Sequence, residues 1–317
     1  MSIASPRFRT FLVALALDAA FGDPPTVVHP VGWIGRLARA FEARVPASGP
    51  ARRWWGGAGA IGLPLLVSTT ARMFLGRGER AGMFRIARAA IALDTTFALR
   101  TLLVRAAEVH AALEANDLPQ ARALLARHLV SRDTSDLSAA EVAGATIESV
   151  AENLSDGVVG PWLAYAALGV HGAFAYRTVN TLDSMWGYRT EQYADFGWVA
   201  ARIDDGTNWL PARVTALAIL GASRFLGDAA GGAMLVWRRD AGNTESPNAG
   251  HPMAAMAGAL GVVLTKRGAY TLGAPGRDPE AHDIVRAIRI ARVAASLVAA
   301  VLAGVMVVTA PSEECDA

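Results

Sequence analysis

Three long apolar stretches constrain this chain more than any other feature of its sequence. Residues 54–71, 158–176 and 293–311 contain no Asp, Glu, Lys or Arg. A helix that crosses a bilayer needs about 20 mostly apolar residues, and each stretch approaches that length. The stretches therefore predict three membrane-spanning helices.

The composition agrees with a membrane protein. Of the 317 residues, 53% are hydrophobic and 18% are charged, and the mean hydropathy is +0.30. Soluble domains carry about 25% charged residues. A soluble helical protein with several buried helices is the alternative, although an apolar stretch at the end of a chain rarely finds a full protein coat. The net charge of only +2 argues against nucleic acid as a partner.

The rest of the chain has helical patterning and weak strand signals. Residues 101–129 alternate apolar and polar side chains at helical spacing. Ser138 and Glu141 form the S-x-x-E capping pattern that opens a helix. We therefore predict an all-α fold, a polytopic helical membrane protein with amphipathic polar helices and loops between the spans.

This pattern also predicts how the chain is organised. We expect a single integral-membrane domain over residues 1–317, located in the cell (inner) membrane and crossing it several times. Residues 77–157 form a largely polar helical insertion, and residues 177–210 form a polar segment that bears the site. Arginines flank nearly every apolar stretch, so they do not indicate the orientation.

An acidic stripe follows the helix that Ser138 opens. Glu141, Glu148, Glu152 and Asp156 lie at offsets 0, 7, 11 and 15, which share one helical face. Like charges four residues apart repel, so water, arginine or a divalent cation must lie between them. Hard cations such as Mg²⁺ prefer carboxylate and amide oxygens. The stripe indicates a cation site, with a solvated acidic face as the alternative.

A second polar group follows residues 158–176 without a break. Arg177, Asn180 and Ser184 share a face at helical spacing, with Asp183 at its edge. Ionisable groups in lipid are costly, so a polar face at the end of an apolar segment indicates a lined cavity. A helix outside the membrane whose polar groups meet water is the alternative.

A third group combines paired carboxylates with arginines. Asp204 and Asp205 lie four and three residues before Asn208, and Arg202 and Arg213 flank them. Mg²⁺ is usually held by one or two carboxylates plus substrate phosphates, and arginine binds phosphate bidentately. This group therefore predicts a site for magnesium-bound phosphate, with a local salt-bridge cluster as the alternative.

The remaining signals are weaker. Asp23 and His29 lie in a Gly-Asp-Pro-Pro turn region, where a structural histidine is the alternative to a ligand. The sequence has no GxxxxGK[ST] nucleotide loop. Taken alone, the residues predict a membrane-embedded, magnesium-dependent enzyme acting on phosphate-bearing substrates, a description that an intramembrane prenyltransferase also fits.

Six segments together are typical of one family. They are LDAAFGDPPTVVHPVGWIGRL (17–37), LVSRDTSDLS (129–138), ATIESVAENLSDGVVGPW (145–162), YRTVNTLDSMWGY (176–188), ARIDDGTNWLPAR (201–213) and SPNAGHPMAAMAGALGV (246–262). In this order they resemble the CobD/CbiB family of cobalamin biosynthesis, the adenosylcobinamide-phosphate synthases. The resemblance covers roughly residues 17–285.

The resemblance implies an integral membrane ligase. Such an enzyme joins adenosylcobyric acid to (R)-1-amino-2-propanol O-phosphate by an amide bond, with ATP as co-substrate and Mg²⁺ as cofactor, and gives adenosylcobinamide phosphate. Its partners are then the corrinoid, aminopropanol phosphate and the lipid bilayer, while self-association or contact with other late cobalamin enzymes stays open. A magnesium-dependent prenyltransferase-like enzyme and a non-enzymatic AmpE-like membrane protein are the alternatives.

Roles for individual side chains follow from the same resemblance. The carboxylates expected to hold Mg²⁺ are Glu148, Glu152, Asp204 and Asp205. The residues expected to take part in catalysis are Asp183, Glu152 and Asp205, with Asp183 as counter-ion or base for the amine. The residues expected to bind substrate or phosphate are Arg132, Asn153, Arg177, Asn180, Ser184, Arg202, Asn208, Arg213, Asp23 and His29.

Overall fold

The computed structural model of the chain describes residues 5–24, 29–46, 49–76, 82–188 and 190–309. The chain divides into two compact units. Unit 1 comprises Met1–Phe97, Pro161–Ala201 and Ala299–Ala317, and unit 2 comprises Ala98–Gly160 and Arg202–Val298.

All regular secondary structure in the described first half of the chain is helical. Its helices are α1 (Pro6–Phe21), α2 (Pro30–Glu42), α3 (Ala51–Leu75), α4 (Met83–Asp94), α5 (Leu99–Glu114), α6 (Leu118–His128) and α7 (Ala139–Leu154). Ser138 caps α7, since its side chain accepts from the Glu141 N–H while the Glu141 carboxylate accepts from the Ser138 N–H. The predicted capping pattern is therefore confirmed.

The second half adds helices and one short hairpin. A π-helical turn (Ser155–Val159) follows α7 directly. The later elements are α8 (Gly160–Leu168), α9 (Val170–Trp186), α10 (Trp198–Thr207), α11 (Trp209–Leu226), α12 (Ala230–Asp240), α13 (Gly250–Leu260), β1 (Leu264–Lys266), β2 (Tyr270–Leu272) and α14 (Ala281–Val308). The two strands pair antiparallel. Because they are the only strands in the described residues, the all-α prediction is confirmed.

Two helices in the described part of the chain are long and apolar enough to cross a membrane. They are α3 and α14, which contain the predicted stretches from residues 54 and 293. Within their apolar windows, 22% of α3 and 39% of α14 is buried inside the protein. Neither helix is thus covered by protein in the way that a core helix would be.

The third predicted span is not a single helix. Residues 158–176 begin in the π-helical turn, continue through α8 and reach α9 only after Gly169. Gly169 has φ +81°, a left-handed conformation that favours glycine and ends the helix. Trp162 and Tyr165 from this stretch pack on Phe11, with ring centroids 5.6 and 6.0 Å apart. This prediction was wrong because an apolar run can equally supply a core.

Close helix packing in unit 2 depends on two glycines. α12 packs on α13, and α13 also packs on α11 and α7. A Cβ added to Gly258 would lie 2.3 Å from the Gly232 carbonyl oxygen. The two helices therefore approach each other at backbone distance, as small residues permit.

A buried carboxylate fixes the start of α14. The Asp283 side chain has no solvent exposure. It accepts hydrogen bonds from Arg277 at 2.6 and 2.7 Å and from Arg286 at 3.1 Å. Arg286 also donates to Asp228 at 2.7 Å. These ion pairs join the residues after the hairpin to α14 within unit 2.

Candidate functional site

Glu148 is the most deeply buried acidic residue of the predicted stripe. It lies in the third turn of α7, and its side chain is 7% exposed. Its Oε2 atom lies 3.5 Å from Nη2 of Arg132, which belongs to the segment between α6 and α7. Its Oε1 atom is buried without a hydrogen-bond partner within the described residues. Two predicted site residues thus meet, and one carboxylate oxygen still has bonding capacity.

Burial governs the ionisation of Glu148. It raises the pKa of Glu148 to about 7, since the carboxylate loses its hydration and the nearby Glu152 charge adds to the effect. The charges of Arg132 and Lys266 act in the opposite direction. Tyr270 in β2 also interacts with Glu148, and its pKa is raised by burial and by the two glutamates. We name Arg132, Glu148, Glu152, Lys266 and Tyr270 the Glu148 cluster.

Hydrogen bonds on α7 position the Arg132 segment. Ser149 donates to the Leu129 carbonyl oxygen at 2.8 Å. Asn153 donates to the Ser149 carbonyl and hydroxyl oxygens at 2.9 and 3.1 Å. The side-chain nitrogen of Asn153 therefore already donates to Ser149. The predicted role of Asn153 in substrate binding then depends on its side-chain oxygen.

The other two members of the stripe have a different local setting from Glu148. Glu141 accepts from Nη2 of Arg267 at 2.6 Å and caps α7, so it has a structural role. Asp156 lies in the π-helical turn, where the α-helical offset that placed it on the stripe does not apply. π-helical turns are often found at functional sites, and this one begins directly after the residues of α7.

The third predicted group forms a second cluster in unit 2. Asp204 accepts from the Asn208 amide at 2.8 Å, and Asp205 pairs with Arg202 at 2.9 Å. Asn208 is 1% exposed and lies between α10 and α11. Asp204 and Asn208 therefore share one face in the structure, as the sequence predicts.

Asn248 completes this cluster. Its Nδ2 atom donates to the Asp205 carbonyl oxygen at 2.8 Å, and its Oδ1 atom accepts from Arg213 at 3.3 Å. The residue is 3% exposed. The Arg213 guanidinium also lies 4.4 Å from the centre of the Trp209 ring. We name Arg202, Asp204, Asp205, Asn208, Arg213 and Asn248 the Asp205 cluster.

Helix α13 begins two residues after Asn248 of the Asp205 cluster, and its N-terminal half contacts Tyr270 of the Glu148 cluster. Trp237 donates to Nδ1 of His251 at 2.9 Å, and burial together with the Arg213 charge lowers the pKa of His251. Two residues along the helix, Met253 accepts a hydrogen bond from Tyr270 at 3.8 Å. Helix α13 therefore connects the Asp205 cluster to the Glu148 cluster.

Sequence reasoning missed Asn248, His251 and Tyr270. In the sequence, the segment SPNAGHP stands only as part of a family-typical stretch, yet in the structure it supplies the amide that joins Asp205 to Arg213. Its Asn and His were the available signal. Tyr270 carried no sequence signal, because β2 reaches Glu148 only through pairing of the hairpin.

The second predicted group lies on α9 in unit 1. Arg177 donates to Oδ1 of Asn180 at 3.3 Å, as expected for residues on one face. Ser184 is exposed and donates to the Thr181 carbonyl oxygen. Asp183 is partly buried in the last turn of α9. The predicted helical face is present, and its role in substrate binding stays a prediction.

Asp23 and His29 also belong to unit 1. Nε2 of His29 lies 3.8 Å from Asp23, while Nδ1 accepts from the Val31 N–H. His29 is therefore the N-cap of α2. The structural role of His29 as N-cap uses its Nδ1 atom, whereas its Nε2 atom faces the Asp23 carboxylate.

The carboxylates fit a metal site that substrate must complete. Within the described residues, no three His, Cys, Asp or Glu side chains come together as a ligand set. Asp204 and Asp205 are adjacent hard oxygen donors beside two arginines. Mg²⁺ commonly takes one or two carboxylates and fills its other positions with water and phosphate. The donor set fits such a site and does not fit a protein-only cage.

Comparison with known proteins gives consistent matches over most of the chain. The family model described as CobD/Cbib protein matches residues 11–300. Cobalamin biosynthesis protein CobD of Chromobacterium violaceum is 43% identical over 92% of this chain and 96% of that protein. Cobalamin biosynthesis protein CobD of Dehalococcoides mccartyi is 41% identical over 83% of this chain and 85% of that protein. Probable cobalamin biosynthesis protein CobD of Methanothermobacter thermautotrophicus is 35% identical over 94% of this chain and 97% of that protein. No solved structure matches the chain.

Proposed function

The chain belongs to the CobD/CbiB family of cobalamin biosynthesis proteins, and we propose that it joins adenosylcobyric acid to (R)-1-amino-2-propanol O-phosphate. The product is adenosylcobinamide phosphate, and ATP drives the formation of the amide bond. Family membership favours this ligase over the prenyltransferase-like and AmpE-like alternatives.

The observation that carries the proposal is the Asp205 cluster. Two carboxylates, two arginines and two amides meet there. A ligase that uses ATP must bind phosphate groups and the divalent cation that accompanies them. Arginine and carboxylate side chains supply those two kinds of contact.

The reaction needs an activated carboxyl group, because a carboxylate does not react with an amine. In the proposed sequence, ATP transfers its terminal phosphoryl group to the corrinoid carboxylate, which gives an acyl phosphate and ADP. The amine then attacks the carbonyl carbon, the C–O bond to phosphate breaks, and one proton leaves the nitrogen. Preorganised positive charge around the developing phosphoryl charge supplies the largest stabilisation.

This chain's residues divide that work. Arg202 and Arg213 bind phosphate oxygens, and Asn248 holds Arg213 in place. Asp204 and Asp205 would hold Mg²⁺, which offsets phosphate charge when bound. Arg132, in the Glu148 cluster, supplies a second phosphate contact. The family resemblance also assigns Asp183, in unit 1, to the amine of the substrate as counter-ion or base.

The proposal includes a multi-pass position in the cell membrane. Most of the apolar surface of α3 and α14 is not covered by protein. In water, such surface would be an aggregation liability, whereas lipid solvates it. Two membrane-crossing helices fit a multi-pass protein of the inner membrane.

The test is conversion of adenosylcobyric acid by membranes that contain the chain. The assay supplies aminopropanol phosphate, or ethanolamine phosphate in a parallel arm, and follows the corrinoid product by mass spectrometry. Product should require both ATP and Mg²⁺. Absence of product, beside an active family member assayed in the same way, would contradict the proposal.

Two variants test the assignment of the Asp205 cluster. Asp204→Asn and Arg202→Ala should each reduce turnover at least about a hundredfold, roughly 2.7 kcal/mol. Glu114→Gln, an exposed charge change on α5, is the matched control and should keep normal turnover. Near-normal turnover of either cluster variant would remove the cluster from the mechanism.

A further inference from the structure

A cationic cavity in unit 1 has no role in the ligation chemistry described above. Its volume is about 180 Å³, and the ends of several helices line it. Arg7 lies at the start of α1, Arg72 in the last turn of α3, and Arg85 in the first turn of α4. Thr10 and His171 add polar side chains to the lining. The cavity therefore concentrates three positive charges in a small volume.

These arginines have no acidic partner in the described part of the chain. The cavity lining that the structure describes contains no Asp or Glu. Neither Arg7, Arg72 nor Arg85 forms a salt bridge with another described residue. Uncompensated guanidinium groups that converge on one cavity are complementary to an anion.

The N-terminus of α9 adds partial positive charge to the same cavity. Gly169, Val170 and His171 line it, and Gly169 is the N-cap without a side-chain hydrogen bond. The first N–H groups of a helix have no partner within it, and they carry the positive end of the helix dipole. Backbone donors and arginines thus favour the same kind of ligand.

An apolar groove adjoins the cavity. The groove has a volume of about 760 Å³, and Leu75 lines both spaces. Its walls come from α2, α3, α4 and α9 and consist mostly of apolar side chains, among them Trp33, Leu66, Phe74 and Ile91. These four side chains are between 53% and 76% exposed. A long apolar ligand would cover surface that the protein leaves open.

We propose that the cavity and the groove together bind one anionic phospholipid. Its phosphodiester lies against Arg7, Arg72 and Arg85, and an acyl chain lies in the groove. The helix α3 supports this placement, because Arg72 and Leu75 end a helix long and apolar enough to cross a bilayer. The cavity then lies at the level of the lipid headgroups.

The size of the cavity favours a headgroup over a nucleotide. Pockets for small molecules usually have about 300–1,000 Å³, and the cationic cavity is smaller, at about 180 Å³. The groove lies within that range. A phosphate on its own would leave the groove uncovered, whereas a phospholipid occupies both spaces. The proposal does not depend on the ligation reaction.

The test compares two lipids with identical acyl chains. The full chain is purified in detergent and delipidated, and retention of dioleoyl phosphatidylglycerol and dioleoyl phosphatidylcholine is measured by native mass spectrometry. The unmodified protein should retain the anionic lipid preferentially. Arg72→Gln/Arg85→Gln should weaken that retention about thirtyfold, since each basic side chain near anionic lipid contributes about 1 kcal/mol.

Controls separate charge, fold and lipid source. Arg127→Gln/Arg238→Gln removes two exposed charges in unit 2 and should retain the lipid normally. Arg72→Lys changes the side chain but keeps its positive charge, and it should retain phosphatidylglycerol. This result would show that the double variant loses lipid through loss of charge and not through misfolding. Ala92→Trp fills the groove and should weaken retention while the melting temperature stays unchanged.

Three results would overturn the proposal. One is equal retention of the two lipids by the unmodified protein. Another is normal phosphatidylglycerol retention by the folded Arg72→Gln/Arg85→Gln variant. The third is complete displacement of the lipid by sn-glycerol 3-phosphate, which would show that a soluble phosphate occupies the cavity and that the groove contributes nothing.

Discussion

Nη2 of Arg132 lies 3.5 Å from Oε2 of Glu148, while Oε1 of the same carboxylate is buried without a hydrogen-bond partner in the described residues. Arg132 comes from a segment between helices, and Glu148 comes from the interior of α7. Their meeting places a buried carboxylate beside a partly exposed guanidinium. An arginine at one oxygen and bonding capacity at the other suit a carboxylate that binds a ligand.

Glu148 should make stability depend on pH. Its pKa is about 7 in the folded protein against 4.5 ordinarily, so the folded state binds the proton more tightly. The stabilisation is fully present below pH 4.5 and is lost as pH rises through 7. The difference amounts to about 3 kcal/mol. With chelator present, the melting temperature of the natural chain should be lower at pH 8 than at pH 5. The melting temperature of Glu148→Gln should differ much less between the two pH values.

Magnesium provides the counter-test for Glu148. If Glu148 holds Mg²⁺, adding the metal should favour the ionised carboxylate and flatten the pH dependence of the natural chain. An unchanged profile with Mg²⁺ would exclude Glu148 as a ligand. An equally steep profile in Glu148→Gln would show that another group titrates.

Asn248→Ala should impair ligation through Arg213. The substitution removes the acceptor for Arg213 and the donor to the Asp205 carbonyl, so both groups lose their fixed positions. Misplaced groups of this kind cost about a hundredfold in rate. Steady-state turnover of adenosylcobyric acid measures the effect. Asn243→Ala, an exposed change in the same loop, should behave normally, and equal activity of the two variants would contradict the role of Asn248.

Asp283→Ala should destabilise the protein without a direct effect on the site. Removing this buried carboxylate leaves Arg277 and Arg286 without their shared partner. Breaking a buried ion pair from one side costs about 3–5 kcal/mol. Thermal unfolding in detergent should show a clearly lower midpoint. Asp278→Asn, a neighbouring exposed acid, is the control, and similar midpoints for both variants would count against a buried network.

Gly258→Ala should loosen the packing of α12 on α13. The new methyl group would lie 2.3 Å from the Gly232 carbonyl oxygen, and backbone must move to accept it. Overpacking of this kind costs about 1–3 kcal/mol. Gly231→Ala, where nothing lies within 4 Å of the added Cβ, should be neutral or slightly stabilising. Unfolding midpoints of the two variants decide whether the contact is as close as described.

The sequence predicted local features well, because local features follow from short spacings. The S-x-x-E pattern correctly placed the start of α7, and residues three or four apart, such as Asp204 and Asn208, share a face in the structure. The apolar stretches from residues 54 and 293 lie in the two long apolar helices. Helical periodicity fixes these relations before any tertiary contact forms.

The third apolar stretch shows where hydropathy is insufficient. A run of apolar residues has the same mean hydropathy whether it meets lipid or the interior of a protein. Gly169 divides residues 158–176, and Trp162 packs on Phe11. Only the packing partners distinguish a core segment from a span.

The sequence by itself determined the family, the helical fold class and the residue types that gather near Asp204 and Glu148. Tertiary structure decided which of them meet. Asn248 lies 43 residues from Asp205 along the chain, yet its side chain donates to the Asp205 carbonyl oxygen. Tyr270 reaches Glu148 through a hairpin. Periodicity relates residues within one helix, whereas contacts between elements depend on how whole faces pack, which no local spacing encodes.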